Sequence, residues 1–132
     1  MNDKIRSYTA GIIDGEGHIG CYRRPNNSYD MRISVQMKYD KVPNWLLKNW
    51  GGIVFYSKSV KWTWRARETL SIKILNEVEK YMVEKKDQSY IYKKLFNLKQ
   101  KNIRINQFSS ADSPELLQEK DNLYLLLREL HN

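Results

Sequence analysis

Two carboxylates separated by one glycine, Asp14-Gly15-Glu16-Gly17, follow an apolar run, Tyr8-Thr9-Ala10-Gly11-Ile12-Ile13, and precede an alternating one. Carboxylate oxygens are hard ligands. Gathered beside a polyanion they need a reason to be there, and a divalent cation such as Mg²⁺, which takes carboxylate and phosphate oxygens together, supplies one. Thiol chemistry has little to work with: Cys21 is the single cysteine, so neither an internal disulfide nor a thiolate zinc cluster can be built within one chain.

These residues need elements to position them. Ile5 to Ile13 predicts a helix stopped by the glycines at 15 and 17. His18 to Arg24 then alternates, with Ile19 and Cys21 opposed to Gly20, Tyr22 and Arg24, before Pro25-Asn26-Asn27-Ser28 turns the chain. The partner strand has sharper contrast, setting Met31, Ile33, Val35 and Met37 against Arg32, Ser34, Gln36 and Lys38. Asp40 to Trp50 carries Val42, Trp45, Leu46 and Asn49 at helical spacing, with Pro43 in the first turn and Gly51-Gly52 ending it.

A second hairpin, Ile53 to Ser59 and Lys61 to Arg67, is expected to place Ile53, Phe55, Trp62 and Trp64 on one face and Tyr56, Lys58, Thr63 and Arg65 on the other. Its turn near Ser59-Val60 lacks glycine, which leaves the turn type open. Helices follow over Glu68 to about Glu84, Tyr90 to about Ile105, and Pro114 to about Leu130, with Ser113 as a cap for the last. The order predicts an α+β fold: an αββαββα core, a four-stranded antiparallel saddle-shaped sheet with helices on one face, and extra C-terminal helices. A chain of 132 residues fits one domain, 1–132.

Lys and Arg outnumber Asp and Glu by 23 to 15, a net charge of +8, which makes nucleic acid the first partner to consider. The sheet concentrates that charge. Its uncovered face is expected to present Tyr22, Arg24, Arg32, Ser34, Gln36, Tyr56, Lys58, Lys61, Thr63 and Arg65, with Asn26, Asn27 and Tyr29 near a hairpin tip and Asp30 as the one acid. Such side chains hydrogen-bond base edges and phosphates, and an antiparallel ribbon enters a major groove. Solvent faces of sheets are ordinarily polar, but not ordinarily of one sign.

Ala10 and Gly11 inside an apolar helix sacrifice about 1 kcal/mol of propensity at the glycine unless a second helix packs closely there. With one such segment in the chain, the simplest partner is the same helix of a second copy across a two-fold axis, with Ala10, Gly11 and Asp14 at the interface. That symmetry brings two Glu16 side chains to the edge of the basic face.

Tyr8 to Ile19 resembles the signature of the LAGLIDADG homing endonuclease family, in a Gly-Glu-Gly variant and in the single-motif, homodimeric form. Pro25 to Tyr29 resembles the first hairpin tip of such proteins, Gly51-Gly52 falls where their second helix ends, and most of residues 4–105 is covered in order. The resemblance implies a site-specific double-strand DNA endonuclease, a homodimer that hydrolyses phosphodiesters with Mg²⁺ or Mn²⁺ and serves intron or intein mobility. It implies Glu16 as the metal ligand, Asp14 as a local hydrogen-bonding acid, and a lysine after the third helix that helps organise the active-site water. Lys85 takes that role first, by its spacing to Gln88, with Lys86 as the alternative. The family often has Gln at the end of the second strand, where Met37 falls here beside Gln36 and Lys38, so the water network departs from the pattern.

His18 reads as a strand-start residue near the scissile phosphate and His131 as part of a solvated terminus, neither with ligand spacing. The start, Met1 to Arg6, lacks an apolar signal core and no run is long enough to cross a bilayer, so no membrane and an intracellular setting, in a prokaryote, phage or organelle, are expected. Two other classes fit parts of the pattern: an RNA- or DNA-binding maturase or regulator that has lost cutting, and a basic interaction protein whose motif helix only dimerises.

Overall fold

The computed structural model describes residues 1–26, 28–105 and 113–131, with 101–105 described by backbone alone. Helix α1 (Asp3–Glu16) begins at Asn2, whose side chain accepts the Ile5 N–H at 2.9 Å, and it runs through Gly15 to end only at Gly17. Gly15 costs propensity without blocking a helix. Gly17 is what the end requires, since a side chain there would approach Ile13 backbone atoms to 2.7 Å.

The chain continues through β1 (Gly17–Arg23), β2 (Tyr29–Met37), α2 (Lys41–Trp50), β3 (Ile53–Ser57), β4 (Lys61–Arg67) and α3 (Glu68–Val78). A short 3-10 turn, Glu79–Tyr81, then leads to α4 (Lys86–Ile105) and α5 (Pro114–His131). The four strands form one antiparallel sheet in the order β1-β2-β4-β3, so β1 and β3 are its edges. The core lies between one sheet face and the helices. Ile19, Met31, Ile33, Val35, Trp64 and Ala66 meet Ala10 and Ile13 of α1, Leu46 of α2, Ile74 and Leu75 of α3, Tyr92 and Leu95 of α4, and Leu127 of α5. Among the described residues no helix is long and apolar enough to cross a membrane.

Two expectations are corrected here. The helix expected from Glu68 to Glu84 stops at Val78, because the backbone N–H groups of Val83 and Lys85 turn away to the Asp14 carboxylate at 2.7 and 3.0 Å. The faces of β3 are also inverted. Val54 and Tyr56 pair with Trp64 and Trp62 on the helix side, while Ile53 and Phe55 pair with Arg65 and Thr63 on the polar side. The Ile-Val-Phe-Tyr run has no polarity contrast to set its parity. Gly51 and Gly52 set it instead: both have positive φ, and a side chain at Gly52 would meet the Arg65 carbonyl oxygen at 2.5 Å.

Candidate functional site

Glu16 is the exposed last residue of α1, and it opens onto the polar face of the sheet. One cleft is lined by Glu16, by His18 and Tyr22 of β1, by Arg32, Ser34 and Gln36 of β2, by Val60 of the second hairpin turn, and by Arg65 of β4. Register explains the convergence. His18 lies opposite Ser34, Gly20 opposite Arg32, and Ser34 opposite Arg65, so side chains on alternate positions of three neighbouring strands share this face.

Asp14 and Lys85 build the end of α1. Asp14 is half-buried and receives the two backbone N–H groups that follow the 3-10 turn. Lys85 answers by donating from Nζ to the carbonyl oxygens of Ile13 and Gly17, at 3.0 and 2.5 Å. The last turn of α1 contains no basic residue of its own, so an ammonium from another element meets the negative end of the helix dipole, sharing the Ile13 carbonyl with the Gly17 N–H. Lys86 is the exposed first residue of α4 and lines a separate depression with Arg6, Asn76 and Glu77, so it is Lys85 that reaches the helix end carrying Glu16.

The basic face is crowded. Arg32 lies over the Tyr22 ring at 4.1 Å from its centroid, and Arg65 over Phe55 at 4.9 Å. Burial and the neighbouring charges of Arg32 and Arg67 push the Arg65 pKa below its ordinary value. The Nε atoms of Arg32 and Arg65 are buried without a hydrogen-bond partner among the described residues. Asp30, the one acid among the described strand residues of this face, is taken up by Arg67 at 3.0 Å and Arg24 at 3.5 Å. Burial raises its pKa, but the hydrogen bond and charge of Arg67 outweigh that and hold it below the ordinary carboxylate value. Burial, with His131, Lys85 and Arg32 nearby, lowers the His18 pKa and favours the neutral imidazole.

Several expected site residues lie elsewhere. Tyr29 is a core residue, 3% exposed, whose hydroxyl donates to Asp121 of α5 at 2.7 Å; as the first residue of β2 it faces the helices. Tyr56 is exposed but on the helix side, beside Trp62. Thr63 is fully buried and Ser34 nearly so, which makes them the floor of the face rather than its contact surface. Ala10 is fully buried against the chain's own core and cannot serve an interface; Gly11, with open space where a side chain would stand, remains available. The Asp14 carboxylate is engaged within the chain. His131 is half-buried and tied down: its Nε2 lies 2.8 Å from the Ile19 carbonyl oxygen and its ring lies against His18, centroids 4.4 Å apart and planes tilted by 40°.

Tyr22, Arg24, Arg32, Gln36, Lys61 and Arg65 fall on or beside the polar face, while Lys58 is in the exposed second hairpin turn and Asn26 in the first, where it accepts from Ser28. Asn27 lies outside the described residues. Gln36, not Met37, reaches the cleft; Met37 pairs with Trp62 on the helix side. Phe55 and Arg67 were not expected on this face. For Arg67 the signal was present, since it continues the alternation of Thr63 and Arg65. Among the described residues no group of three or more His, Cys, Asp or Glu side chains is placed to hold a metal ion, and Glu16 is the one carboxylate among the residues that line the cleft.

No protein-family model and no curated protein sequence matches the chain. Solved structures do match. The homing endonuclease I-CvuI in complex with DNA superposes with a TM-score of 0.80 at 15% identity, over 96% of this chain and 82% of that one. An archaeal intron-encoded homing endonuclease complexed with DNA gives 0.78 at 16% identity, over 97% and 84%. The LAGLIDADG meganuclease I-AabMI bound to uncleaved DNA gives 0.72 at 17% identity, over 94% of this chain but 44% of its own length. The fold is that of the LAGLIDADG homing endonucleases.

Proposed function

We propose that the chain is a single-motif LAGLIDADG homing endonuclease that works as a homodimer, binds double-stranded DNA on its basic sheet face, and hydrolyses one phosphodiester in each strand. One observation carries this reading: an exposed carboxylate at a helix end opens onto the same cleft as two arginines with unpartnered Nε donors. Carboxylate repels a phosphate unless a cation stands between them.

The α1 helix supports the pairing. Lys4, Ser7, Tyr8, Gly11 and Gly15 form its exposed side, and an added side chain at either glycine would meet nothing within 4 Å. Gly11 and Gly15, one helical turn apart, let a second copy approach backbone to backbone. Two Glu16 carboxylates then flank the axis. A single carboxylate per chain is too few for a closed cation site, but two of them completed by DNA phosphate oxygens form a suitable hard-donor set. Glu16 of each copy would hold Mg²⁺ or Mn²⁺, which supplies an acidified water and charge neutralisation at the phosphate. I-CvuI was itself solved with DNA in the presence of magnesium and of calcium.

The chain's own residues do the rest. Arg32 and Arg65 grip phosphate or base edges, Gln36 orients water by hydrogen bonding, and Lys85 fixes the helix end while adding positive potential beside it. A nuclease of this kind acts wherever its target DNA lies, within a cell or organelle, and its cut would mobilise an intron or intein. The test is selection of a duplex from a randomised plasmid pool, followed by incubation with Mg²⁺. Linear product with staggered or blunt double-strand ends supports the reading. Tight binding that never yields a cut in Mg²⁺ or Mn²⁺ replaces it with a binding protein on the same fold.

A further inference from the structure

The row of side chains beside Glu16 is continued by a residue from the far end of the chain. On β1, His18 and Tyr22 lean together over Gly20, where a side chain would meet both rings at 2.9 Å. The His18 ring centroid lies 6.4 Å from that of Tyr22 and 4.4 Å from that of His131. On the other side Arg32 covers Tyr22. His18, Tyr22 and Arg32 thus form one row along the cleft wall, and His131 extends it beyond His18.

His131 is itself fixed. Its Nε2 lies 2.8 Å from the carbonyl oxygen of Ile19, on the edge strand, and because a carbonyl only accepts, Nε2 carries the proton. Gln88 donates to the Leu130 carbonyl at 3.3 Å, and Asp121 accepts from Arg23 and Tyr29 at the other end of the hairpin. Helix α5 is therefore pinned along β1 at two places. Mere packing of a helix end needs no ring in contact with a cleft residue and no directed bond to a strand edge.

We infer that His131 is a positioning residue: by packing its ring against His18 it holds that imidazole toward the phosphate bound at Glu16, which makes helix α5 part of the cleaving centre. This rests on the nuclease reading above. Without the His131 ring, His18 is free to take other rotamers, and a displacement of about 1 Å at a reacting centre can cost up to about a hundredfold in rate.

The chain has two histidines, so its imidazole NMR spectrum holds two side-chain systems and His131→Ala leaves only His18. In that variant the His18 ring signals should shift as the neighbouring ring current is lost. Single-turnover cleavage of the selected duplex should fall about tenfold to a hundredfold while the Kd stays within about twofold. His131→Phe, which restores a ring, should recover most of the rate. Unchanged His18 signals, shifted signals with an unchanged rate, or a rate loss that only tracks the fraction unfolded would each overturn the inference. If the parent binds but never cuts, the nuclease reading fails separately and the duplex itself becomes the probe. The inference then stands if duplex shifts the His18 signals in the parent and less in His131→Ala, and falls if the two respond alike.

Discussion

Salt is the most direct lever on the basic face. Arg32, Lys58, Lys61 and Arg65 have no ion-pair partner among the described residues, whereas Arg24 and Arg67 share Asp30. A pair of chains presents roughly eight unpaired cations to DNA, and about 0.9 in log-log slope per neutralised phosphate gives a slope near −7. Raising salt from about 50 to about 200 mM should then weaken binding by on the order of ten-thousandfold. Fluorescence anisotropy on a labelled duplex, titrated at several salt concentrations, measures it. Arg65→Gln should reduce the slope by about 2 if two chains bind and by about 1 if one does, so a single variant also counts subunits. A slope shallower than about −2, or one indifferent to Arg65→Gln, would refute the placement of DNA on this face.

Other substitutions test the parts of the site. Lys85→Met leaves the Ile13 and Gly17 carbonyls without their ammonium and should cost about 2 kcal/mol in urea unfolding, with no comparable loss for exposed Lys86→Met. Asp14→Ala removes the acceptor of the Val83 and Lys85 N–H groups, and should speed their amide hydrogen exchange well above that of the α3 core. Gly17→Ala drives a methyl into Ile13 backbone atoms and should destabilise by about 2 kcal/mol, read as a lowered Tm. The pKa of Asp30 is depressed in the folded chain, so its stabilisation is complete above the ordinary carboxylate pKa and disappears as pH falls through the folded value. Asp30→Asn should accordingly flatten the loss of stability below about pH 4. It should leave the higher-pH slope alone.

Much of this was legible in the residues, for reasons that also mark where reading stopped. In β2 the alternation of Met31, Ile33 and Val35 with Arg32, Ser34 and Gln36 fixes both strand and face, because one period separates apolar from charged side chains. In β3 four apolar or aromatic residues succeed one another, so parity was decided by the Gly51-Gly52 turn and not by local polarity. Tyr29 and His131 were misplaced for a different reason. Their partners, Asp121 and Ile19, are 92 and 112 residues away, and tyrosine and histidine suit either a wet or a half-buried place. Ala10 shows the same gap: a small residue signals a close approach but does not say whether the neighbour belongs to the same chain. The division of labour between the two acids, Asp14 inward and Glu16 outward, follows helical geometry, since residues two apart face different sides.

The decisive measurement is single-turnover cleavage of the selected duplex in Mg²⁺ by the parent chain and by Glu16→Gln, with Kd measured on the same preparations. Removing the carboxylate should lower the cutting rate by at least about a thousandfold, while DNA binding is kept or tightened as a negative charge leaves the phosphate. A Glu16→Gln protein that cuts as fast as its parent would contradict the assignment of this carboxylate to the reaction.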